Sequence, residues 1–154
     1  MLSSRTKRQG LIIELNVQPG LEHVVVQPQS IQQVIINLVE NAVDAINMKE
    51  PLPEDKTITI DVNRLEMEAG PTIQMEVKDN GIGMSPEVIK KAQDAFFTTK
   101  SSTEGTGLGL SIVKDLVLKH EGQVEIESQE GLYTKIIIRL PEKKMGCQNL
   151  SCST

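Results

Sequence analysis

Short segments in which apolar and polar residues alternate with a period of two recur along this chain. Leu11–Val17 is the first of them, and Thr57–Val62, Thr72–Lys78 and Thr134–Leu140 repeat the pattern. A period of two places the apolar side chains on one face of a β-strand and the polar ones on the other. Strands of this kind need one covered face, which favours a sheet with helices packed on a single side.

Helical segments separate these strands. Ile31–Met48 carries a helical period, and Pro28 stands where its first turn can begin. A short helix with a serine cap is predicted over Ser85–Lys91, and a third helix from about Leu108 to His120. Between these two helices, Ala92–Thr106 has no usable period. A stretch of that length is typical of a functional or mobile segment.

Two more short strands complete the predicted order. Val24–Val26 precedes the first helix, and Val124–Ser128 forms a hairpin with the last strand through a Glu-Gly turn. The resulting order is β-β-α-β-β-α-loop-α-β-β. We therefore expect an α+β fold, a two-layer α/β sandwich in which one mixed sheet of about five strands is covered on one face by about three helices.

The size of the chain allows one compact domain. Its 154 residues are too few for two ordinary domains. We expect the organised domain at residues 11–141, a lead-in from an upstream segment at residues 1–10, and a disordered tail at residues 142–154. The tail holds both cysteines, Cys147 and Cys152, and one such pair is a poor zinc signal. We interpret them as free thiols.

Composition argues against several classes of protein. The net charge is −5, and no basic patch typical of a nucleic-acid-binding surface stands out. No apolar run approaches the ~20 residues of a membrane helix, and no signal peptide opens the chain. A cytoplasmic protein is the default expectation. Because there is no Trp, one Tyr and only two Phe, the core must be aliphatic.

The helix predicted over Ile31–Met48 has amides beside its apolar stripe. At about 100° per residue, its polar sector holds Gln33, Asn37, Asn41 and Asp44. Asparagine is a weak helix former, whereas an ordinary solvated face favours Glu and Lys. Two amides one turn apart at the edge of the buried face can offer an oxygen to a metal ion and further groups to phosphates. A plainly solvated face remains the alternative.

The strand over Thr72–Lys78 directs an acid inward. Asp79 continues the apolar row of that strand, and a buried carboxylate is costly unless it receives hydrogen bonds. The glycines of the following turn, Asn80-Gly81-Ile82-Gly83, permit close approach of the backbone. A buried acceptor beside such a turn can receive the exocyclic amine of a base. Thr134 points its hydroxyl to the same inner side, although an Asp-Asn-Gly turn alone is usually only a turn.

Glycines also open the third helix. The run Gly105-Thr106-Gly107-Leu108-Gly109-Leu110 would expose backbone N–H groups to an anion, and the helix dipole would add to the attraction. The run is not a P-loop, and it follows a loop where a dinucleotide fingerprint would follow a strand. The preceding Phe96–Lys100 is interpreted as a lid with an apolar anchor and a lysine that can reach a phosphate.

Taken in order, these segments resemble the histidine-kinase branch of the superfamily that also holds DNA gyrase B, the Hsp90 chaperones and the MutL repair proteins. Gln33–Ala42 resembles its asparagine box, Asp79–Met84 its first glycine box, Phe96–Lys100 its phenylalanine box and Gly105–Leu110 its second glycine box. The resemblance covers Leu11 to about Pro141. The lid is similar to that of nitrogen-regulation-type kinases.

The resemblance implies a site for ATP and Mg²⁺. Asn37 would bind Mg²⁺ and Asn41 would contact the phosphates, while Asp79 would accept from the adenine amine with support from Thr134. Lys100 would lie near the γ-phosphate, so that Asn37 and Lys100 are the expected catalytic residues. Further nucleotide contacts are expected from Asp44, Gly81, Gly83, Met84, Phe96, Thr99, Gly105, Thr106, Gly107, Leu108 and Gly109.

The chain departs from the hydrolysing relatives at one informative position. They carry a glutamate four residues before the metal-binding asparagine, and this chain has Gln33, an amide that cannot act as a general base. The difference favours phosphoryl transfer to a protein over hydrolysis. Gln27 and Ala95 replace an aspartate and a proline that are common in the family.

The resemblance further implies that the γ-phosphoryl group passes to a histidine on a separate dimerisation and phosphotransfer domain of the same parent protein, and then to a response regulator. Neither His23 nor His120 fits the acceptor. The isolated domain is expected to be monomeric, and anchoring of the parent protein in the inner membrane is left open. Two alternatives remain, namely a serine kinase of the anti-sigma-factor type and a non-catalytic nucleotide-sensing module.

Overall fold

A computed structural model describes residues 2–8, 10–21, 28–95 and 107–142 of the chain. The strands within these residues are β1 Leu2–Arg8, β2 Leu11–Val17, β3 Lys56–Met67, β4 Gly70–Asp79, β5 Gln123–Gln129 and β6 Tyr133–Pro141. The helices are α1 Pro28–Asn47, α2 Pro86–Ala95 and α3 Gly107–Lys119. None of these helices is long and apolar enough to span a membrane.

All six strands belong to one mixed sheet with the order β1-β2-β3-β4-β6-β5. Strands β2 and β3 pair in parallel, and the other neighbouring strands pair antiparallel. Parallel neighbours require a long crossover, which here contains α1. The predicted α+β sandwich with a mixed sheet is therefore confirmed.

The helices lie on one face of the sheet, over an aliphatic core. Apolar side chains of α1 and α3 pack against the inward residues of β3, β4, β5 and β6. Leu38, Ile46, Ile58 and Ile138 are among the largest side chains that are fully buried there. Among the described residues, the buried members of this core are all aliphatic or Met side chains, because the helices bring aliphatic rows to the sheet.

The opposite face of the sheet carries ion pairs. Arg139 pairs with Glu125 at 2.7 Å, and Lys135 pairs with Glu127 at 2.6 Å. Between them Ile137 is only 3% exposed, since long charged side chains cover apolar surface with their stems. This face therefore needs no second layer of helices, as the alternation of the strands predicted.

The first strand differs from the prediction. Residues 1–10 were expected to be a lead-in, but β1 pairs with β2 from Leu2 opposite Val17 to Arg8 opposite Leu11. The two strands turn at Gly10, whose φ is 79°, a conformation that glycine adopts without strain. Because β1 is an edge strand with no apolar alternation, its sequence does not mark it as a strand, and its backbone pairing with β2 shows that it is one. Over the described residues the sheet therefore has six strands, β1 included, where about five were predicted.

Other differences concern the ends of elements. Strand β3 continues to Met67, five residues beyond its predicted end, and α2 continues to Ala95 into a stretch predicted to lack structure. Glu142, predicted to belong to a disordered tail, donates its backbone N–H to Pro71 at 2.9 Å and pairs with Arg64 at 2.6 Å. The predicted strand at residues 24–26 lies outside the described residues.

Candidate functional site

A polar row crosses the inner face of the sheet where β4, β6 and β5 lie side by side. Asp79, Thr134 and Ser128 occupy neighbouring register positions on these strands. Asp79 is 6% exposed and Thr134 is 5% exposed. The inward carboxylate and hydroxyl predicted from strand alternation are therefore adjacent and buried.

A cavity of about 40 Å³ lies between this row and α1. Its polar lining comes from Asn41, Asp79 and Thr134, and Met84 and Leu110 form part of its apolar wall. The remaining lining residues are Leu38, Ala42, Ala45, Val77 and Ile136. The volume suits a few water molecules, so a larger ligand must displace part of the apolar wall.

Two of the three asparagines of α1, Asn37 and Asn41, carry buried amide nitrogens. Asn37 is 7% exposed, and within the described residues neither its Nδ2 nor that of Asn41 has a hydrogen-bond partner. Gln33 Nε2 donates to Asn37 Oδ1 at 3.2 Å. An unpaired buried amide costs about 1–3 kcal/mol, and such groups in a folded protein call for an explanation such as a ligand. Asn37 lies one turn from Asn41 and outside the lining of the cavity.

The buried surroundings of Asp79 raise the pKa of its carboxyl group. Burial raises the pKa of Asp79 to about 6 because it disfavours the charged form. Backbone N–H groups of Gly81 and Thr134 and the charge of Lys49 act in the opposite direction, and the Gly81 N–H lies 2.8 Å from Asp79 Oδ1. At neutral pH the group is therefore mostly a carboxylate that can only accept hydrogen bonds.

The loop at residues 80–84 is clamped between α1 and the β5–β6 turn. Ile82 donates its N–H to the Ala45 carbonyl at 2.9 Å, and its own carbonyl accepts from Gly131 at 2.5 Å. A Cβ on Gly81 would stand 2.5 Å from the backbone of Ala45. Gly83 has a φ of 68°, and a Cβ there would strike the Gln129 carbonyl oxygen. Close backbone contact therefore explains both glycines.

Substitution of Gly83 by Ala is expected to destabilise the protein by about 2–5 kcal/mol. Left-handed backbone costs about 1–2 kcal/mol for alanine, and overpacking against the Gln129 backbone adds about 1–3 kcal/mol. Gly131→Ala is the matched control, since its φ is 78° but nothing lies within 4 Å of its Cβ. Urea unfolding should show a clearly larger loss of stability for Gly83→Ala than for Gly131→Ala. Equal losses of stability would mean that the close contact with Gln129 does not matter.

Comparison with known proteins identifies the family of the chain. Residues 26–144 match the family described as histidine kinase-, DNA gyrase B-, and HSP90-like ATPase. The chain belongs to this family. The resemblance found in the four sequence boxes is thereby confirmed at the level of the histidine kinase-like ATPase domain.

Curated relatives are sensor kinases of greater length. Sporulation kinase E of Bacillus subtilis (strain 168) is 28% identical over 144 residues, which are 94% of this chain and 18% of that protein. Sensor protein DegM of Bacillus sp. (strain B21-2) is 36% identical over 114 residues, 74% of this chain and 27% of that protein. Sensor histidine kinase ZraS of Escherichia coli (strain K12) is 28% identical over 141 residues, which are 92% of this chain and 28% of that protein. The chain thus spans less than a third of each.

Solved structures share the fold. The catalytic domain of histidine kinase ThkA has a TM-score of 0.64 at 28% identity, covering 86% of this chain and 80% of that domain. Mycobacterial sensor histidine kinase MprB has a TM-score of 0.66 at 24% identity, covering 90% of this chain and 86% of that chain. At that identity the likeness supports the shared fold and nothing further. The predicted histidine kinase ATP-binding catalytic domain is confirmed.

Not all predicted site residues of this histidine kinase-like ATPase domain meet at the cavity. Asp44 is exposed on α1 and does not line it. Gly107, Leu108 and Gly109 form the first turn of α3, where backbone N–H groups lack helical partners. The predicted residues that lie outside the described part of the chain are Phe96, Thr99, Lys100, Gly105 and Thr106. The lid and the start of the second glycine box stay predictions.

Two residues near the site were not identified from the sequence. Ser128 continues the inward row of β5 beyond Val124 and Ile126, the same alternation that identified Thr134, so a stricter use of the period would have found it. Lys49 follows α1 and donates to the Asn80 carbonyl at 3.0 Å. No local pattern marks Lys49, because its position depends on the packing of α1 against the loop.

Proposed function

We propose that this chain binds Mg-ATP and transfers the γ-phosphoryl group to a histidine of a separate phosphotransfer domain in a two-component system. The observation that carries the proposal is one cavity lined by a buried carboxylate, a buried hydroxyl and a helix amide, from Asp79, Thr134 and Asn41. These groups lie in the first glycine box, the last strand and the asparagine box of the family.

The adenine would bind at the polar row of the sheet. The Asp79 carboxylate accepts the exocyclic amine, since at neutral pH it has acceptors and no proton to donate. Thr134 adds a second polar contact beside it, and Met84 and Leu110 supply apolar surface for the faces of the ring. Apolar walls with a few oriented polar groups are typical of small-molecule sites.

The phosphates and Mg²⁺ would lie toward α1 and the start of α3. Among the described residues no cluster of three or more His, Cys, Asp or Glu side chains could hold a metal ion. Mg²⁺ commonly binds proteins through one or two oxygens together with substrate phosphates. The Asn37 amide oxygen fits that requirement, and the buried amide nitrogen of Asn41 fits a phosphate oxygen. Bound Mg²⁺ would neutralise charge on the phosphates.

The lid would close over the nucleotide. Phe96–Lys100 would act as a lid of the nitrogen-regulation type, with Lys100 near the γ-phosphate, and Gly105–Gly109 would surround the phosphates with backbone N–H groups. Asp44, Gly81 and Gly83 complete the proposed contacts. The acceptor histidine and the response regulator would belong to other domains or proteins, and this domain would work in the cytoplasm as a monomer.

Gln33 supports transfer over hydrolysis. Its side-chain nitrogen donates to Asn37 Oδ1 at 3.2 Å, so it can orient the asparagine, but an amide cannot remove a proton from water. Positioning and charge neutralisation around the γ-phosphate are then the main contributions that this domain makes to the reaction.

The proposed function is tested by mixing the chain, Mg²⁺ and γ-labelled ATP with a purified phosphotransfer domain of a related kinase. We expect labelled protein whose phosphate survives base and is lost in acid, as a phosphohistidine does. An acid-stable product would favour a serine kinase of the anti-sigma-factor type. Nucleotide binding without any transfer would favour a nucleotide-sensing module.

The affinity for ATP is expected to depend on Asp79 ionisation. Below pH ~6 the carboxylate becomes protonated, so affinity should fall by up to about tenfold for each further unit of pH. Lys49→Met removes a positive charge that lowers the pKa of Asp79, and the midpoint should move to higher pH. Calorimetry from about pH 5 to about pH 8 brackets this pKa and measures the midpoint.

Lys90→Met on α2 is the control for this shift. Lys90 is exposed and is not among the groups that act on Asp79, so its substitution should leave the midpoint where the unmodified chain has it. The titration of ATP itself is common to all three proteins and cancels in the comparison. A midpoint that stays in place or moves down in Lys49→Met would contradict the assignment of Asp79.

A further inference from the structure

Ser128 makes three hydrogen bonds through one hydroxyl group. Its Oγ accepts from the Met84 N–H at 2.8 Å and donates to the Tyr133 carbonyl at 2.7 Å. The same oxygen lies 3.0 Å from Thr134 Oγ1. A serine hydroxyl has one proton and two lone pairs, so these three contacts use its full capacity.

The directions of these bonds follow from the partners. A backbone N–H can only donate and a carbonyl oxygen can only accept, which assigns one lone pair of Ser128 to Met84 and its proton to Tyr133. The remaining lone pair of Ser128 must then receive the proton of Thr134. The hydroxyl proton of Thr134 therefore points toward β5, and its oxygen can only accept hydrogen bonds from the cavity.

We infer that Ser128 is a positioning residue that sets the base specificity of the nucleotide site by making Thr134 an acceptor and by holding Met84 in the cavity wall. Met84 and Thr134 both line the cavity, whereas Ser128 does not. Its influence must therefore pass through these two residues. The inference rests on the proposed function, because it presupposes a base beside Asp79.

Two neighbouring acceptors select for a base edge that carries N–H donors. Asp79 and Thr134 are register partners on adjacent strands, and both would face the same edge of the base. The six-amino group of adenine matches that pair. The six-oxo group of hypoxanthine would place a third acceptor against them, and an unmatched buried polar group is costly.

The test compares Mg-ATP with Mg-ITP, whose base carries a carbonyl in place of the six-amino group and a proton on the neighbouring ring nitrogen. In Ser128→Ala the Thr134 proton can turn into the cavity and donate to a carbonyl. We expect ATP to bind about tenfold more weakly, since two of the three lost hydrogen bonds hold Met84 and Thr134, which line the cavity. ITP should lose less, so that the ratio of the ITP and ATP dissociation constants falls at least about fivefold. Ser128→Thr keeps the hydroxyl and should keep the ratio.

A second pair of variants separates this effect from a general loosening of the site. In a Thr134→Val background, Ser128→Ala should leave the ratio unchanged, because the hydroxyl that it redirects is absent. Ser128→Cys, with a thiol that hydrogen-bonds weakly, should lower the ratio in the same direction and serves if the alanine variant does not fold. Thermal unfolding reports folding of each variant.

The outcomes distinguish the inference from the proposed function. If the unmodified chain binds ATP and Ser128→Ala weakens ATP and ITP equally, Ser128 only supports the fold and the inference is wrong, while the proposed function stands. The inference is also wrong if Ser128→Ala still lowers the ratio of the ITP and ATP dissociation constants in the Thr134→Val background. If the unmodified chain binds neither nucleotide, the proposed function fails and the inference with it.

Discussion

Replacement of Asp79 by Asn is expected to weaken the binding of Mg-ATP by about 100-fold while leaving the protein at least as stable at pH 7. A hydrogen bond to a charged group contributes about 1.5–3 kcal/mol, and every 1.4 kcal/mol is about tenfold in affinity. An asparagine can also turn its N–H₂ toward the adenine amine, which places donor against donor. The loss of binding free energy in Asp79→Asn should therefore approach the upper end of the range of about 1.5–3 kcal/mol.

Stability should change in the opposite direction. The pKa of Asp79 is raised to about 6 by burial, so the folded protein holds this proton more tightly than the unfolded chain. The stabilisation by the protonated form is complete below pH ~4 and is lost as the pH rises through ~6. At pH 7 the ionised Asp79 lowers the free energy of unfolding by up to about 3 kcal/mol. The neutral amide of the Asp79→Asn variant avoids that loss.

The measurement combines calorimetry of ATP binding with urea unfolding at about pH 4 and about pH 7. Asp61→Asn is the matched control. Asp61 lies on β3, where it accepts from Asn16 at 2.8 Å, and the alternation of β3 directs it away from Ile58 and Ile60 in the core. Equal affinities of Asp79→Asn and Asp61→Asn for ATP would refute the assignment of Asp79.

Replacement of Asn37 by Leu is expected to lower phosphoryl transfer by about 10²–10³-fold without unfolding the domain. Loss of one preorganised polar group at a reacting centre has an effect of about this size. Asn37 is buried, and its amide nitrogen has no partner among the described residues. Leucine is of similar size and apolar, so removal of the unpaired nitrogen should leave the free energy of unfolding unchanged or raise it by about 1 kcal/mol.

Transfer of label to the phosphotransfer domain is measured over a range of Mg²⁺ concentrations. We expect Asn37→Leu to need more Mg²⁺ than the unmodified chain and still to transfer less. Asn47→Leu on the same helix is the control, because Asn47 is exposed and its side-chain oxygen accepts from Lys56 at 2.9 Å. Undiminished transfer in Asn37→Leu would remove Asn37 from the metal site.

Local patterns determined the two halves of the polar site. Asp79 and Thr134 each continue a row of apolar residues on their own strand, and the period of two is a property of the extended backbone that holds wherever a strand forms. The asparagines of α1 could be placed beside its apolar stripe for the corresponding reason. Order and spacing of the four boxes then pointed to the family, and the match over residues 26–144 bears this out.

Long-range contacts decided what no local pattern contains. β1 is a strand because β2 offers it a backbone ladder, and nothing in Leu2–Arg8 itself predicts a buried face. The row from Asp79 through Thr134 to Ser128 requires β6 to lie between β4 and β5, an order set by packing under the helices. Burial, likewise, raises the pKa of Asp79 and leaves the amide nitrogen of Asn37 without a partner among the described residues.

Sequence by itself therefore determined which side chains point inward, because that depends on the geometry of single strands and helices. Tertiary structure decided which of them meet, how deeply they are buried and how their protons are directed. Those properties depend on pairing between segments distant in the chain, and on the exclusion of water that follows from it.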